Sequence, residues 1–303
     1  MISVCSPLQA HLPTALALGS FDGLHAGHRS VIKTISSSNL GIPTVVSFWP
    51  HPREVLFGET RLRLDLPSEK AVLLEPLGVK QLVLVPFDLS LASLSAKEFF
   101  DQVLIKQLQA KHISIGANFR FGKNREGDPA ILSKLGRESN VEVSVGKIIE
   151  DDQGRMSSSR IRSALRAGDL KLTNILLGRE YSFCGSVVSG KGLGKEIGWP
   201  TANLEVDARK LLPGPGVYAA FAKEADTEVF FPAVMNLGLQ PTVDPSAHSA
   251  TEVHFINQKL NLEKKDLVVK PIERIRGQKK FASLQDLSNQ INLDAKRALS
   301  ILT

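Results

Sequence analysis

The chain has 303 residues, enough for two domains that each bury a core of their own. Hydrophobic residues make up 43% and charged residues 22%, and no apolar run approaches the ~20 residues of a membrane span, so a soluble globular protein is expected. The net charge of +6 is spread over mixed acids and bases, which fits anionic small substrates as well as nucleic acid. The two cysteines, Cys5 and Cys184, lie far apart, and the first residues show no secretion signal, so a reduced, cytoplasmic location is predicted.

The most informative stretch is residues 15–28, where an apolar run ends in a glycine-rich turn that leads to two histidines. This pattern predicts a buried strand, a turn and a helix start, where α/β proteins place phosphates, because backbone amides and the helix dipole attract the anion. His25 and His28 would face that anion from the first helical turn and donate hydrogen bonds to it. An isolated H-x-G-H would fit an ordinary strand–turn–helix, whereas the preceding Phe-Asp-Gly favours the anion site.

The rest of the first half alternates strand and helix patterns, as parallel α/β domains do. Helices are predicted at 29–38, 67–77 (with Ser68 as cap), 95–110 and 129–140, and strands at 44–48, 81–87, 112–116 and 141–148. Residues 49–58 contain two prolines and are predicted to form a loop. Residues 157–159, all serines, and Gly168 predict the two ends of a further helix. Besides capping, these hydroxyls and Arg162 on the first turn could hold ATP phosphates.

The alternating pattern stops near residue 176, and short strand candidates separated by Gly, Pro and Asn predict an all-β region after it. The candidates are 181–188, 217–222, 229–235, 252–256 and 267–275, enough for a small antiparallel barrel that an amphipathic helix at 283–302 would close. Thr201 and Asn203, two apart in an extended segment, offer two neutral oxygens on one side. Mg²⁺ prefers such ligands and takes others from phosphate and water, so the pair predicts a magnesium site.

The first half resembles bacterial FAD synthetase, because G-x-F-D-G-x-H-x-G-H occurs in full and H-x-G-H is the signature of nucleotidylyltransferases. The resemblance extends to the P-H-P segment, which it would place beside the flavin, and to the serine-rich helix start, where Ser159 stands for the usual Thr. It implies a Rossmann-like nucleotidylyltransferase domain in which His25, His28 and Arg162 are catalytic. The residues it assigns to nucleotide binding are Gly19, Phe21, Asp22, Gly23, Asn118, Ser158 and Ser159.

The second half is similar to riboflavin kinase over residues 190–204, and the family's N-I-G-x-x-P-T and E-V-H motifs recur at 236–242 and 252–254. The resemblance implies Mg²⁺ on Thr201 and Asn203, and it makes Glu252 the base, although spacing alone would suggest an exposed glutamate. The nucleotide and flavin ligands it implies are Gly190, Lys191, Gly192, Gly194, Lys195, Gly198, Asn236 and Arg276. Two residues depart from the family pattern, Gln278 for Glu and Leu262 for Tyr, and are expected to alter flavin affinity and not the chemistry.

The combined resemblance predicts an FMN adenylyltransferase domain at 1–176 and a riboflavin kinase domain at 177–303. The chain would phosphorylate riboflavin to FMN and then adenylylate FMN to FAD, with ATP as the second substrate of both steps and no nucleic-acid or membrane partner. One rival is a nucleotidylyltransferase for another substrate whose barrel only binds. The other is a flavin-binding regulator without catalysis, which would bind nucleic acid in a salt-dependent manner.

Overall fold

The computed structural model describes residues 2–60, 62–189, 198–238, 251–258 and 260–303, which form two compact units. The first unit comprises Met1–Arg61 and Asp65–Ser158, and the second comprises Leu62–Leu64 and Ser159–Thr303. The predicted boundary between residues 176 and 177 concerns which part of the chain folds alone, and it stays a prediction.

The first unit contains a six-stranded, wholly parallel sheet in the order β1-β4-β3-β2-β5-β6. Its strands are β1 Ser3–Cys5, β2 Thr14–Leu18, β3 Ile42–Trp49, β4 Gln81–Pro86, β5 Ala110–Gly116 and β6 Glu142–Gly146. The chain adds β3 and β4 on one side of β2 and then returns to add β5 and β6 on the other. The carboxyl ends of β2 and β5 therefore flank the topological switch point, where open α/β sheets bind their ligands.

Helices cover both faces of this sheet. They are α1 Ala26–Ser36, α2 Pro52–Phe57, α3 Pro67–Leu74, α4 Leu89–Ser93, α5 Ala96–Phe99, which continues as a π-helix over Phe100–Gln107, and α6 Pro129–Glu138. Successive residues of β2 point to opposite faces, so Ala15 and Ala17 pack with α1, whereas Leu16 and Leu18 pack with Phe99 and its neighbours. The predicted α/β architecture is confirmed.

The prediction of a loop over residues 49–58 is wrong, because α2 begins inside it. Pro52 occupies the first helical position, where a missing N–H costs little. His51 Nδ1 accepts from the Arg53 N–H at 3.1 Å, and the Glu54 carboxylate accepts from the His51 N–H at 2.8 Å. The second proline was thus a helix start. For the same reason the predicted cap Ser68 lies inside α3, whose first position is Pro67.

The second unit contains a closed, antiparallel, six-stranded barrel in the order β10-β13-β12-β11-β14-β9. The barrel strands are β9 Phe183–Val188, β10 Ala202–Glu205, β11 Gly216–Glu224, β12 Phe231–Leu237, β13 Thr251–Phe255 and β14 Asp266–Arg276. A separate two-stranded hairpin, β7 Glu150–Asp151 and β8 Gly154–Arg155, belongs to the first unit and comes before them in the chain. The helices are α7 Ser158–Ala167, α8 Leu170–Leu177 and α9 Leu284–Leu302. Ala295 and Ala298 of α9 pack on Val217, Ala219 and Val234, so the predicted barrel with a terminal helix is confirmed.

Candidate active sites

The first candidate site is the loop that follows β2 at the switch point. Phe21, Gly23 and Leu24 in this loop have positive φ angles of 45°, 89° and 42°. Left-handed backbone is costly for Phe and Leu and is typical of a loop that its surroundings hold in place for function. His25 follows as the N-cap residue of α1 without a side-chain capping bond. The N–H groups of the first turn are thereby left to another acceptor, and an anion is the one that a helix N-terminus favours.

Two further predicted residues border this loop. Gly19 leaves β2 with its N–H donated to the Val46 carbonyl at 3.1 Å, and a Cβ added to it would meet the Phe21 ring at 3.3 Å. Asn118 lies in the turn after β5, the strand that pairs with β2. Both loops therefore leave the same edge of the sheet, on the two sides of the switch point.

Side chains from later in the sequence hold the loop by hydrogen bonds. The Asp65 carboxylate accepts from the Gly23 N–H at 3.0 Å, and Lys70 Nζ donates to the Ser20 carbonyl at 2.8 Å. Asp65 and Lys70 were missed in the sequence, because they lie 42 and 50 residues beyond their partners and no local motif marks them.

His25 and His28 stack on each other, with ring centroids 3.8 Å apart and ring planes at 22°. The Nδ1 atoms of both are buried without a hydrogen-bond partner among the described residues. Burial, with smaller effects of Arg155 and Arg29, lowers the pKa of His25 to about 4. Burial and the neighbouring His25 lower the pKa of His28 well below its usual value of 6.5. Both rings are therefore neutral near pH 7, and each keeps one N–H to donate.

The serine-rich helix start is divided between the two units. Ser158, the first residue of α7, donates its hydroxyl to the Asp22 carbonyl at 2.8 Å, so this predicted serine does reach the predicted loop. Ser159 and Arg162 belong to the second unit. The Arg162 side chain is buried, and its Nη1 donates to the Leu62 carbonyl at 2.6 Å. The predicted contacts of Ser159 and Arg162 with ATP phosphates stay predictions.

The second candidate site lies on the outer surface of the barrel, where three predicted residues share one row. Asn203 of β10 lies opposite Glu252 of β13, which in turn lies opposite Asn236 of β12. Directly opposite residues of antiparallel strands share a face. Thr251 and Val253, on either side of Glu252, are only 2% and 0% exposed, so the row that contains Glu252 faces outwards. Asn236 Nδ2 donates to Glu252 Oε2 at 3.2 Å.

Thr201 lies two residues before Asn203, and therefore on the same side of the extended chain. The chain is held where it enters this segment, because the His254 ring nitrogen Nδ1 is 2.8 Å from the Pro200 carbonyl and the ring meets Trp199 edge to face at 5.0 Å. A carbonyl only accepts, so Nδ1 of His254 carries the proton. Of the two predicted metal ligands, Thr201 therefore lies just before β10, and Asn203 lies on β10 opposite Glu252.

Arg276 and Gln278, which come later in the sequence than β12 and β13, also lie near this row. Arg276, at the end of β14, pairs through Nε and Nη2 with the carboxylate of Asp294, which is 3% exposed, at 3.0 and 2.7 Å. Its predicted contact with flavin stays a prediction. Gln278 Nε2 donates to Asn236 Oδ1 at 2.9 Å and to the Leu237 carbonyl at 2.7 Å.

The glycine-rich loop that precedes β10 falls mostly outside the described residues. The predicted ligands Gly190, Lys191, Gly192, Gly194 and Lys195 all lie there. Gly198 is described, and its φ of 80° is one that other residues rarely adopt.

The first unit has a parallel sheet with a loop at its switch point that can hold a phosphate group. The second unit has a barrel that presents a carboxylate between two amides. These features define the class of a two-part, nucleotide-dependent transferase. Comparisons with known proteins agree with this class. A family model described as FAD synthetase matches residues 8–160, and one described as riboflavin kinase matches residues 177–302.

The curated relatives carry both activities in their names. The bifunctional riboflavin kinase/FMN adenylyltransferase of Pseudomonas fluorescens is 35% identical over 296 residues, 96% of this chain and 94% of the relative. The protein of the same name in Bacillus subtilis is 35% identical over 295 residues, 94% of this chain and 92% of the relative. A solved structure from Streptococcus pneumoniae, titled a macrolide-efflux protein, is 29% identical with a TM-score of 0.85 over 98% of both chains.

The chain belongs to the bifunctional riboflavin kinase/FMN adenylyltransferase family. It phosphorylates riboflavin to FMN and transfers an adenylyl group to FMN to give FAD, with ATP as the donor in both reactions. The resemblance seen in the sequence is confirmed. Because both family models match, the comparisons favour neither a nucleotidylyltransferase for another substrate nor a flavin-binding regulator without catalysis. Among the helices of the described residues, none is long and apolar enough to cross a membrane.

Proposed function

We propose that Glu252 is the general base of riboflavin phosphorylation and that the loop at residues 19–28 holds ATP for adenylyl transfer. The observation that supports the first assignment is the outward row of Asn203, Glu252 and Asn236 across three neighbouring strands. A general base needs an ionised carboxylate that can reach the attacking hydroxyl. Within this row only Glu252 can accept a proton, since both neighbours carry neutral amides.

In the kinase step, the riboflavin 5′-oxygen forms a bond to the γ-phosphorus of ATP. The bond from the γ-phosphorus to the oxygen that bridges it to the β-phosphorus breaks. ADP leaves, and Glu252 takes the proton of the 5′-hydroxyl. Asn236 steadies the carboxylate by donating to Oε2 at 3.2 Å. The step creates no covalent enzyme intermediate, so positioning and electrostatics supply the catalysis.

Mg²⁺ fits the residues beside this carboxylate. Thr201 and Asn203 offer a hydroxyl and an amide oxygen on the side of β10 that Glu252 shares, and hard oxygen donors of this kind suit Mg²⁺. Within the described ranges, no cluster of three His, Cys, Asp or Glu side chains forms an all-protein metal cage. Mg²⁺ typically keeps few protein ligands and completes its shell with phosphate and water. When bound, it would offset the negative charge of the transferred phosphoryl group.

In the adenylyl step, an FMN phosphate oxygen forms a bond to the α-phosphorus of ATP. The bond from the α-phosphorus to the oxygen that bridges it to the β-phosphorus breaks, and pyrophosphate leaves. His25 and His28 donate their N–H groups to phosphate oxygens from the start of α1, with the loop residues Phe21, Asp22 and Gly23 shaping the backbone around the anion. We also propose that the nucleotide of this step contacts Gly19, Asn118, Ser158, Ser159 and Arg162. The residues at 190–198 would bind the ATP of the kinase step.

The proposal extends to location and partners. The low cysteine content, two residues far apart in the sequence, and the phosphorylated small-molecule substrates support a cytoplasmic enzyme that acts on riboflavin, FMN and ATP. Neither a nucleic-acid nor a membrane partner is part of it.

Glu252→Gln tests the kinase assignment, because the amide keeps the size and hydrogen bonding of the side chain but cannot accept the proton. With riboflavin and MgATP, FMN formation measured by chromatography should fall by ~100-fold or more, the usual scale for a general base. Supplied FMN should still become FAD. Glu263→Gln, an exposed glutamate in the same unit, is the matched control and should leave both rates unchanged.

Loss of both activities in a Glu252→Gln protein with an unchanged melting temperature would contradict the assignment of Glu252 to one of two independent sites. Undiminished FMN formation would show that Glu252 is not the base.

A further inference from the structure

Asp65 and Lys70 are buried charged side chains, 2% and 7% exposed, to which the reactions described above assign no part. Both contact the backbone of the loop that follows β2. Lys70 Nζ donates to the Ser20 carbonyl at 2.8 Å, and the Asp65 carboxylate accepts from the Gly23 N–H at 3.0 Å. We propose that Lys70 is a positioning residue for adenylyl transfer, which holds this loop in its ATP-binding conformation through the Ser20 carbonyl. The inference rests on the proposed role of the loop as the ATP site.

The backbone of this loop is strained and needs support from outside. Phe21 and Leu24 have φ angles of 45° and 42°, which are costly for residues with a side chain and persist only where the surroundings hold them. Further side chains hold other carbonyls of the loop. Arg29 Nη1 donates to the Leu24 carbonyl at 2.9 Å, and the Ser158 hydroxyl donates to the Asp22 carbonyl at 2.8 Å. The loop is therefore held by bonds along its length, and losing a strong one allows the strained residues to relax.

The bond from Lys70 acts at the point where the strained segment begins. The Ser20 carbonyl and the Phe21 N–H belong to one planar peptide group, so fixing the oxygen also fixes the direction of that N–H. Two side chains donate to this oxygen, Lys70 Nζ at 2.8 Å and the Ser47 hydroxyl at 3.2 Å. A hydrogen bond from a charged donor is about twice as strong as one from a neutral donor. Lys70 therefore contributes more than Ser47 to the orientation of this peptide group.

Removing this bond should weaken the binding of ATP and leave the chemical step alone. If the loop relaxes part of the time, only the remaining fraction of molecules can bind ATP, and the apparent dissociation constant rises as that fraction falls. Once ATP is bound, its own contacts hold the loop in place. The expected signature is a raised KM for ATP in FAD formation with kcat nearly unchanged.

The test compares Lys70→Met with Lys33→Met in the full-length enzyme. Both substitutions remove one positive charge, and Lys33 is an exposed residue of α1, the helix that carries His28. FMN is supplied as the flavin, so only adenylyl transfer is measured. In Lys70→Met the KM for ATP should rise about tenfold, as expected for loss of one hydrogen bond from a charged group. The KM for FMN, and the rate of riboflavin phosphorylation, should be unchanged. Lys33→Met should match the parent enzyme.

Hydrogen exchange gives a second readout that does not depend on activity. The Gly23 N–H is bonded to Asp65, so the exchange of residues 19–25 reports on opening of the loop. In Lys70→Met this segment should exchange about tenfold faster than in the parent enzyme, whereas strand β5 should stay protected.

Two further variants separate the outcomes. Lys70→Arg keeps a charged donor, so it should recover most of the affinity for ATP. Ser47→Ala removes the neutral donor to the same carbonyl, and it serves if Lys70→Met does not fold. It should raise the KM for ATP about threefold, the scale for a neutral hydrogen bond.

A raised KM for ATP with unaltered exchange of residues 19–25 would show that Lys70 binds the nucleotide directly and would overturn the inference. Faster exchange of β5 as well would show a general loss of stability and would overturn it too. If His28→Ala makes FAD at the parent rate, the proposed ATP loop is itself wrong. If His28→Ala is impaired and Lys70→Met behaves like Lys33→Met, the inference about Lys70 alone fails.

Discussion

His25 and His28 are neutral side chains in a loop that is proposed to hold highly charged phosphates. Burial depresses the pKa of both, and the nearby Arg155 and Arg29 contribute to that depression. Arg155 and Arg29, together with Lys70 near His28, therefore supply permanent positive charge, while each imidazole supplies a directional N–H. Bound phosphate would favour the protonated form of the rings, so ATP binding should take up protons below pH 7.

His28→Ala should depress FAD formation by ~100-fold or more, the scale for losing one transition-state donor, while leaving FMN formation nearly intact. The reason is that His28 lies on α1, at the loop of the first unit. Rates are measured separately, with FMN and with riboflavin as the starting flavin. His11→Ala, an exposed histidine of the same unit, is the control. A His28→Ala enzyme that makes FAD at the parent rate would show that the ring is structural.

The depressed pKa of His25 also predicts how stability depends on pH. Its folded-state pKa is about 4 against an ordinary value of 6.5, so between these limits the unfolded chain binds more protons than the folded one. The free energy of unfolding of the first unit therefore falls as the pH is lowered through this window, by about 1.4 kcal/mol per pH unit, and is insensitive to His25 above it.

Urea unfolding at pH 7 and pH 5 measures this, with Trp49 as reporter in a Trp199→Phe background. His25→Gln should reduce the loss of stability between the two pH values by about 2 kcal/mol. Equal losses in the two proteins would place the pKa of His25 near its ordinary value.

The row on the barrel shows what the sequence could and could not predict. Thr201, Asn203 and Glu252 were singled out by motif and chemistry, and strand patterns located β13. The register that sets Asn203 beside Glu252 and Glu252 beside Asn236 is a long-range property of a closed barrel, and no local pattern encodes it.

Among the larger elements, periodicity predicted most of the helices and strands, because each buries one regular face. It failed where short-range chemistry decides, as in α2, where capping by His51 and Glu54 turns a proline-rich segment into a helix. It also missed β10, a strand of four residues, too short for an alternating pattern to stand out.

The terminal helix α9 is fixed to the barrel by more than its apolar stripe. Asp294, nearly fully buried, accepts from Arg276 of β14 at 2.7 Å and from Gln290, one turn earlier in α9, at 3.0 Å. The pair therefore ties the helix to the strand that leads to Gln278. Breaking a buried ion pair leaves the remaining charge uncompensated, which costs more than the pair contributes.

Asp294→Ala should lower the free energy of unfolding of the second unit by about 2 kcal/mol, below the ~3–5 kcal/mol of a fully buried pair because the Arg276 side chain is 21% exposed. Urea unfolding, followed by Trp199 fluorescence in a Trp49→Phe background, gives the value. Asn292→Ala, an exposed position on the same helix, is the control and should change stability little. Equal unfolding midpoints for the two variants would mean that the ion pair contributes nothing.

The chain as a whole is not divided into units at a single point. Leu62–Leu64, from within the first half of the sequence, belongs to the second unit, where the Arg63 N–H donates to the Arg209 carbonyl at 2.6 Å. Lys210, which is 0% exposed, donates Nζ to the Leu64 carbonyl at 2.6 Å. Helix α7 from Ser159 onwards and helix α8, which ends at Leu177, also belong to the second unit, although nearly all of their residues come before the boundary predicted at residue 177.

Two fragments, 177–303 and 159–303, test where the kinase part begins. Both contain every barrel strand and the row with Glu252, so both should fold and convert riboflavin to FMN. The shorter one lacks the Leu165 carbonyl that accepts from the Gly214 N–H at 3.0 Å, and the Asn174 oxygen that accepts from the Tyr181 N–H at 2.8 Å.

At about 1 kcal/mol for each lost hydrogen bond, fragment 177–303 should melt about 5 °C or more below fragment 159–303 while phosphorylating riboflavin at a similar rate. The reason for the similar rate is that the lost bonds lie at the junction with α7 and α8 and not in the row of Asn203, Glu252 and Asn236. Thermal melting and chromatography of the flavins give the two quantities. Equal melting temperatures would show that α7 and α8 add no stability to the barrel. If every fragment that starts within a few residues of 177 is insoluble or does not convert riboflavin, whereas 159–303 does, the kinase begins at α7 and the boundary predicted from the sequence is wrong.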